Sequence, residues 1–187
     1  DALRKSYEPF DMNSNLRGMT GAAANILNYF PDVSDRYWAS CDIDKLAMND
    51  VVVGYPDKMF KPDRNISRAE FATMLVKGFN MDNCGLEAKS IFSDVPMSNW
   101  ANPLIAKAVD EKLMKGYPNG RFMPQKHVTR AEALTAMAKG LNSCKMDECK
   151  AKEILSKYKD GCRVPSWSQI PIATALDNGA LSDLKNP

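Results

Sequence analysis

No stretch of the 187 residues approaches the ~20 consecutive apolar positions that a helix needs to cross a bilayer. Histidine is nearly missing: His127 stands alone, no C-x-x-C occurs, and a zinc site is not expected. One histidine without a cysteine or serine nucleophile beside it carries no catalytic argument. No pair of carboxylates stands out either, so the chain does not read as an enzyme and no cofactor is expected. Charge of one sign is also lacking. A net charge of +2 is too small to argue for nucleic acid or for an anionic membrane surface. Asp1 opens directly into a polar segment with no signal peptide, which fits either a processed exported chain or a cytosolic one.

What is present begins with an ordinary soluble composition, 44% hydrophobic and 26% charged, enough for one compact domain or a few small modules. Five cysteines stand at 41, 84, 144, 149 and 162. We expect at least one disulfide among Cys144, Cys149 and Cys162, and with it an exported location; the alternative is five buried thiols. The odd count leaves one thiol over, and Cys41, in a helical pattern, is the candidate.

The chain then repeats itself. Residues 66–75 read ISRAEFATML and residues 128–137 read VTRAEALTAM. Asp32 and Asp94, Trp38 and Trp100, Gly54 and Gly116, Phe60 and Phe122, and Arg68 and Arg130 are all separated by one ungapped interval. Residues 158–181 look like the first half of a further unit, with Tyr158, Asp160 and Trp167 where Phe92, Asp94 and Trp100 stand. Residues 19–30 look like the second half of one, with Leu27 in the place of Leu75. The organisation is thus an N-terminal segment with a half-repeat helix (1–29), unit 1 (30–83), unit 2 (84–145), and a linker with a partial third unit (146–187). Units of this kind cannot bury a hydrophobic face alone and need neighbours.

Each unit predicts two helices around a turn-rich connection. The apolar spacing of Trp38, Ile43, Leu46 and Ala47 predicts a helix over 36–49, with Ser34 or Asp35 as its cap. A short β-like apolar run then leads into Gly54-Tyr55-Pro56. The second helix starts at Ser67 or Thr129, where Ser/Thr-Arg-Ala-Glu is a capping box. Phe71, Met74, Leu75 and Phe79, and in the second copy Leu134, Met137 and Leu141, form core stripes. A further short helix is expected at 148–157. Trp38, Trp100 and Trp167 could stack on sugar faces, but their place at first turns beside apolar residues favours the core. Tyr55 and Tyr117, each after a glycine in an exposed turn, are candidates for ligand contact, with Lys61 and Arg121 as a second source of positive charge.

Arg68 and Arg130 are the odd residues, because a cation at the first helical position opposes the positive end of the macrodipole. Free amides, that dipole end and a guanidinium fork together make an anion site suited to a carboxylate. Equally, the arginines could pair with an aspartate of a neighbouring unit, Asp32, Asp94 or Asp160.

The string Phe-x-Asp-Val, Trp-Ala, Gly-Tyr-Pro-Asp-x-x-Phe-Lys-Pro-x-Arg-x-Ile-Ser-Arg-Ala-Glu-Phe-Ala resembles the S-layer homology domain, densely over 30–79 and 92–141 and partially over 158–181. The resemblance implies a mainly α fold, a pseudo-threefold trefoil with a central helix bundle; the half-repeats at the two ends of the chain, on their own, suggest that its third unit is completed by the N-terminal helix. It implies grooves between units that bind a cell-wall glycan, often a secondary polymer whose terminal sugar carries a pyruvate ketal. It implies non-covalent anchoring of an exported protein at the cell surface or wall, without membrane insertion. On that resemblance Arg68 and Arg130 reach the ketal carboxylate. Gly54 and Gly116 let the sugar approach the backbone, and Asp32, Asp94 and Asp160 sit near the grooves. The third Arg-Ala-Glu is missing, since Thr20-Gly21-Ala22 stands at the aligned place. That favours two working grooves over three. Two alternatives stay open: a subunit-packing module of a surface layer with salt-bridged arginines, and an amine-modified polymer held by Asp32 and Asp94.

Overall fold

A computed structural model describes residues 29–83, 85–141 and 146–180. The half-unit helix expected at 19–30 therefore falls almost wholly outside the described residues, as do Cys84 and Cys144. Six α-helices and one 3-10 turn lie within them, with no strand: α1 Ser40–Met48, α2 Arg68–Gly78, α3 Asn102–Asp110, α4 Arg130–Gly140, α5 Glu148–Ser156 and α6 Ser166–Asp177. None of these is long and apolar enough to cross a membrane. The fold is mainly α, as expected.

Both capping boxes form. The Ser67 hydroxyl accepts from the Glu70 amide at 3.3 Å and Glu70 accepts from the Ser67 amide at 2.7 Å. Thr129 and Glu132 repeat the pattern at 3.3 and 2.9 Å. Helix α5 starts where sequence placed it, because Asp147 caps the Lys150 amide at 2.9 Å. Helix α1 starts later than expected. Ser34 closes a turn instead, its carbonyl accepting from the Tyr37 amide at 2.7 Å, and a second turn follows from Tyr37 to Ser40.

That late start moves the tryptophans out of the core. Trp38 and Trp100 precede their helices and Trp167 sits on the outer face of the first turn of α6; they are 85%, 62% and 56% exposed. The small residues that follow them enter instead: Ala101 and Asn102 are buried, and Asn102 donates to the Val95 carbonyl at 3.0 Å. Leu141 is also a correction, 40% exposed rather than in the core stripe, since α4 ends at Gly140. Phe71 and Leu75 are buried and Met74 and Met137 pack against buried clusters, as expected.

Units pack by offering the second helix of one to the first helix of the next. Helix α2 lies on α3, α4 lies on α6, and α2 also meets α4. The largest buried cluster therefore joins units 1 and 2 through Phe71, Leu75, Val76, Ile105, Ala108 and Phe122. Helices α5 and α6 close a second cluster around Ile154, Leu155, Ile172 and Ala173, reached by Leu134 of α4. Cys41, Cys149 and Cys162 are free and exposed. No disulfide forms among the described cysteines, so α5 is held to α6 by apolar packing and by the Lys150–Asp177 pair at 2.8 Å.

Candidate functional site

Each unit builds the same scaffold behind its second helix. Asp32 accepts the Phe60 and Lys61 amides at 2.9 and 2.7 Å, and Asp94 accepts the Phe122 and Met123 amides at 2.9 and 2.8 Å. Burial works to raise both carboxyls, but these backbone donors outweigh it and hold each below its ordinary value. The two aspartates thereby lock the loop after Gly-Tyr-Pro onto the unit's own start. Phe30 lies against Phe60 and Phe92 against Phe122, both with ring centroids 5.4 Å apart. A Cβ on Gly54 or Gly116 would run into the ring of Phe30 or Phe92, and Gly54 also needs its φ of +70°. The space these glycines leave is filled by the unit's own phenylalanine.

The tyrosines face the capping boxes. The Tyr55 hydroxyl donates to Glu70 at 3.1 Å and the Tyr117 hydroxyl to Glu132 at 3.0 Å. Burial pushes Glu132 up, yet donation from Thr129 and Tyr117 and the charge of Arg68 leave its carboxyl below the ordinary range. Glu70 is lowered in the same way by Ser67, Tyr55 and Arg64 against the pull of burial.

The two arginines part company. Arg68 is only 3% exposed. Its guanidinium crosses into unit 2 and is consumed there: Nε donates to the Phe122 carbonyl at 2.9 Å, Nη2 to the Lys115 carbonyl at 2.8 Å, and Nη1 to Glu132 at 3.1 Å. It also lies over the rings of Tyr117 and Phe122, 4.8 and 4.6 Å from the centroids. The cross-unit pairing considered from sequence exists here, but its acid is Glu132, not Asp32, Asp94 or Asp160. Identity and spacing gave no sign of this, because Glu132 already had a visible task as the box glutamate.

Arg130 is exposed and makes no ion pair among the described residues. The groups that hold Arg68 belong to the second half of unit 2, and residues 158–180 supply only a first half. Arg130 therefore opens onto a cleft of about 180 Å³ between α4 and the third half-unit. Tyr158, Asp160 and Arg163 line it, over a floor that includes Leu134, Leu155 and Ile172. Asp160 is exposed, and its side chain clamps no backbone amide among the described residues. Arg163 was missed by sequence reasoning; it lies where units 1 and 2 give no matching cation.

Two interlocked helix-loop-helix units, each with its aspartate clamp and arginine-led capping box, define a helical repeat module. The S-layer homology domain model matches residues 29–72 and 91–134, and through these two segments the chain belongs to that family. It is 38% identical over 134 residues to cell surface glycoprotein 1 of Acetivibrio thermocellus, covering 69% of this chain and 6% of that protein. It is 34% identical over 115 residues to the cellulosome-anchoring protein of the same organism, covering 60% and 26%. The surface layer protein of Brevibacillus choshinensis is 33% identical over 101 residues, covering 53% and 9%. The chain thus spans a small part of each relative. Family and relatives place it at the cell surface or in the wall.

Proposed function

We propose that the chain anchors by holding an acidic cell-wall glycan, such as a pyruvylated polymer, in the cleft beside Arg130. The observation that carries this is the contrast between the two arginines: Arg68 is saturated, whereas Arg130 stands exposed at a helix start, with Arg163 and a single carboxylate, Asp160, lining the same cleft. A helix N-terminus, two guanidinium groups and an apolar floor suit an anionic sugar, the carboxylate on the forks and the CH face on Leu134 and Ile172. Arg68, Gly54, Gly116, Tyr55 and Tyr117 then act by fixing the loops that border the grooves. The inward-turned Asp32 and Asp94 favour an acidic over an amine-bearing ligand, because both carboxylates already accept two amides. On this reading the module itself performs no catalysis.

Co-sedimentation with purified wall sacculi tests it. Wild type is expected to pellet, and Arg130→Ala to stay in solution with an unchanged thermal midpoint. Equal pelleting of the two moves the wall contact away from this cleft. The subunit-packing reading draws support from Arg68 alone, and predicts assembly without any glycan.

A further inference from the structure

Arg130 is bracketed by groups that unit 1 holds. On its N-terminal side, residues 124–128 are paired with residues 66–69. The Val128 amide donates to the Ile66 carbonyl at 3.0 Å, and the Lys126 and Pro124 carbonyls accept from the Arg68 and Ala69 amides at 2.9 and 3.0 Å. Ser67 and His127 form an antiparallel bridge within this pairing. On the C-terminal side stands Glu132, whose carboxylate joins three parts of the molecule. Its Oε2 accepts the Thr129 amide and hydroxyl at 2.9 and 3.0 Å, which closes the cap of α4. Its Oε1 accepts the Tyr117 hydroxyl at 3.0 Å and Nη1 of Arg68 at 3.1 Å. Four donors on two oxygens fill the acceptor capacity of a carboxylate.

The guanidinium in this set is itself fixed. Nε and Nη2 of Arg68 are taken up by the Phe122 and Lys115 carbonyls, and the group lies over the Tyr117 and Phe122 rings. A planar fork with partners on three nitrogens holds Glu132 in one place, as a mobile point-charge ammonium would not. Glu132 in turn fixes Thr129 and the first turn of α4, and with them the direction in which the Arg130 side chain leaves the helix. The body of α4 is held separately, by α2 and α6. On the reading that Arg130 holds the wall ligand, we infer that Arg68 is a positioning residue for Arg130. Acting through Glu132, it aims the first turn of α4 at the cleft. Unit 1 then belongs to the wall site, although none of its described residues lines the cleft. The two copies of one phrase divide the work: one arginine is buried to aim the other.

Two measurements on the full chain test this, each made well below the thermal midpoint of the variant concerned. The first is affinity for purified wall sacculi. Arg68→Ala is expected to bind roughly tenfold more weakly than wild type. Arg68→Lys, which keeps the charge and loses the fork, is expected to fall between the two. The second is the ¹⁵N spectrum of the free chain. In Arg68→Ala the amides of residues 129–132 are expected to shift and to exchange faster with solvent, while those of α6 stay in place. Wild-type affinity in folded Arg68→Ala overturns the inference. So do unmoved amides in the first turn of α4, and so does Arg68→Lys binding no better than Arg68→Ala, since the tie to Glu132 would then not be what matters. Arg130→Ala is measured beside them. If it binds sacculi like wild type, the cleft reading fails, and the amides of residues 129–132 still decide whether Arg68 aims α4.

Discussion

Arg68 and Arg130 occupy the same position of the same phrase and have opposite fates. Four neighbours set the difference, since the carbonyls of Lys115 and Phe122, the carboxylate of Glu132 and the ring of Tyr117 all reach Arg68. Removing one partner of a buried pair leaves the other uncompensated, at a cost of about 3 kcal/mol or more. Arg68→Ala is therefore expected to lower the melting midpoint by roughly 6–12 °C in a chain of this size. Arg130→Ala, with no buried partner to strand, should stay within about 0.5 kcal/mol of wild type. Thermal unfolding followed by circular dichroism distinguishes the two, and equal losses would contradict the asymmetry.

Helices α2 and α4 owe their starts to carboxylates that the fold holds ionised. Glu70 and Glu132 close the boxes, while Asp32 and Asp94 clamp the preceding loops, and all four sit below their ordinary pKa. A group depressed in the folded state adds stability above its unfolded pKa and loses it as pH falls through its folded one. Urea midpoints should thus be level near neutrality and fall progressively below about pH 4. A midpoint that rose on acidification would remove these carboxylates from the account. The element boundaries also show where sequence reading stopped. The Ser/Thr-x-x-Glu signature located α2 and α4 because a capping box is local chemistry. Trp38 misled because the turns at Ser34 and Tyr37 delay α1, and turn type depends on what Phe30 and Val33 pack against.

At the scale of the molecule, the described residues interlock their units by packing and hydrogen bonding, with no cross-link among them. Of the disulfide expected among Cys144, Cys149 and Cys162, the latter two take no part, as both are free, like Cys41. Titration of the native protein with a thiol reagent should find at least these three thiols reactive. Fewer would mean that one of them pairs. The open edges matter at this scale too. A repeat chain leaves a donor and an acceptor face wherever a neighbour is lacking. Among the described residues, one such face is the cleft at Arg130.

The sequence by itself determined the repeat, its interval, the mainly helical fold, the capping boxes and the family, because these rest on local patterns and on residues compared with their own copies. Only the tertiary structure decided which arginine is spent and which is offered. That outcome depends on groups some fifty to sixty residues away, two of them backbone carbonyls, and a carbonyl has no residue identity for a sequence to display.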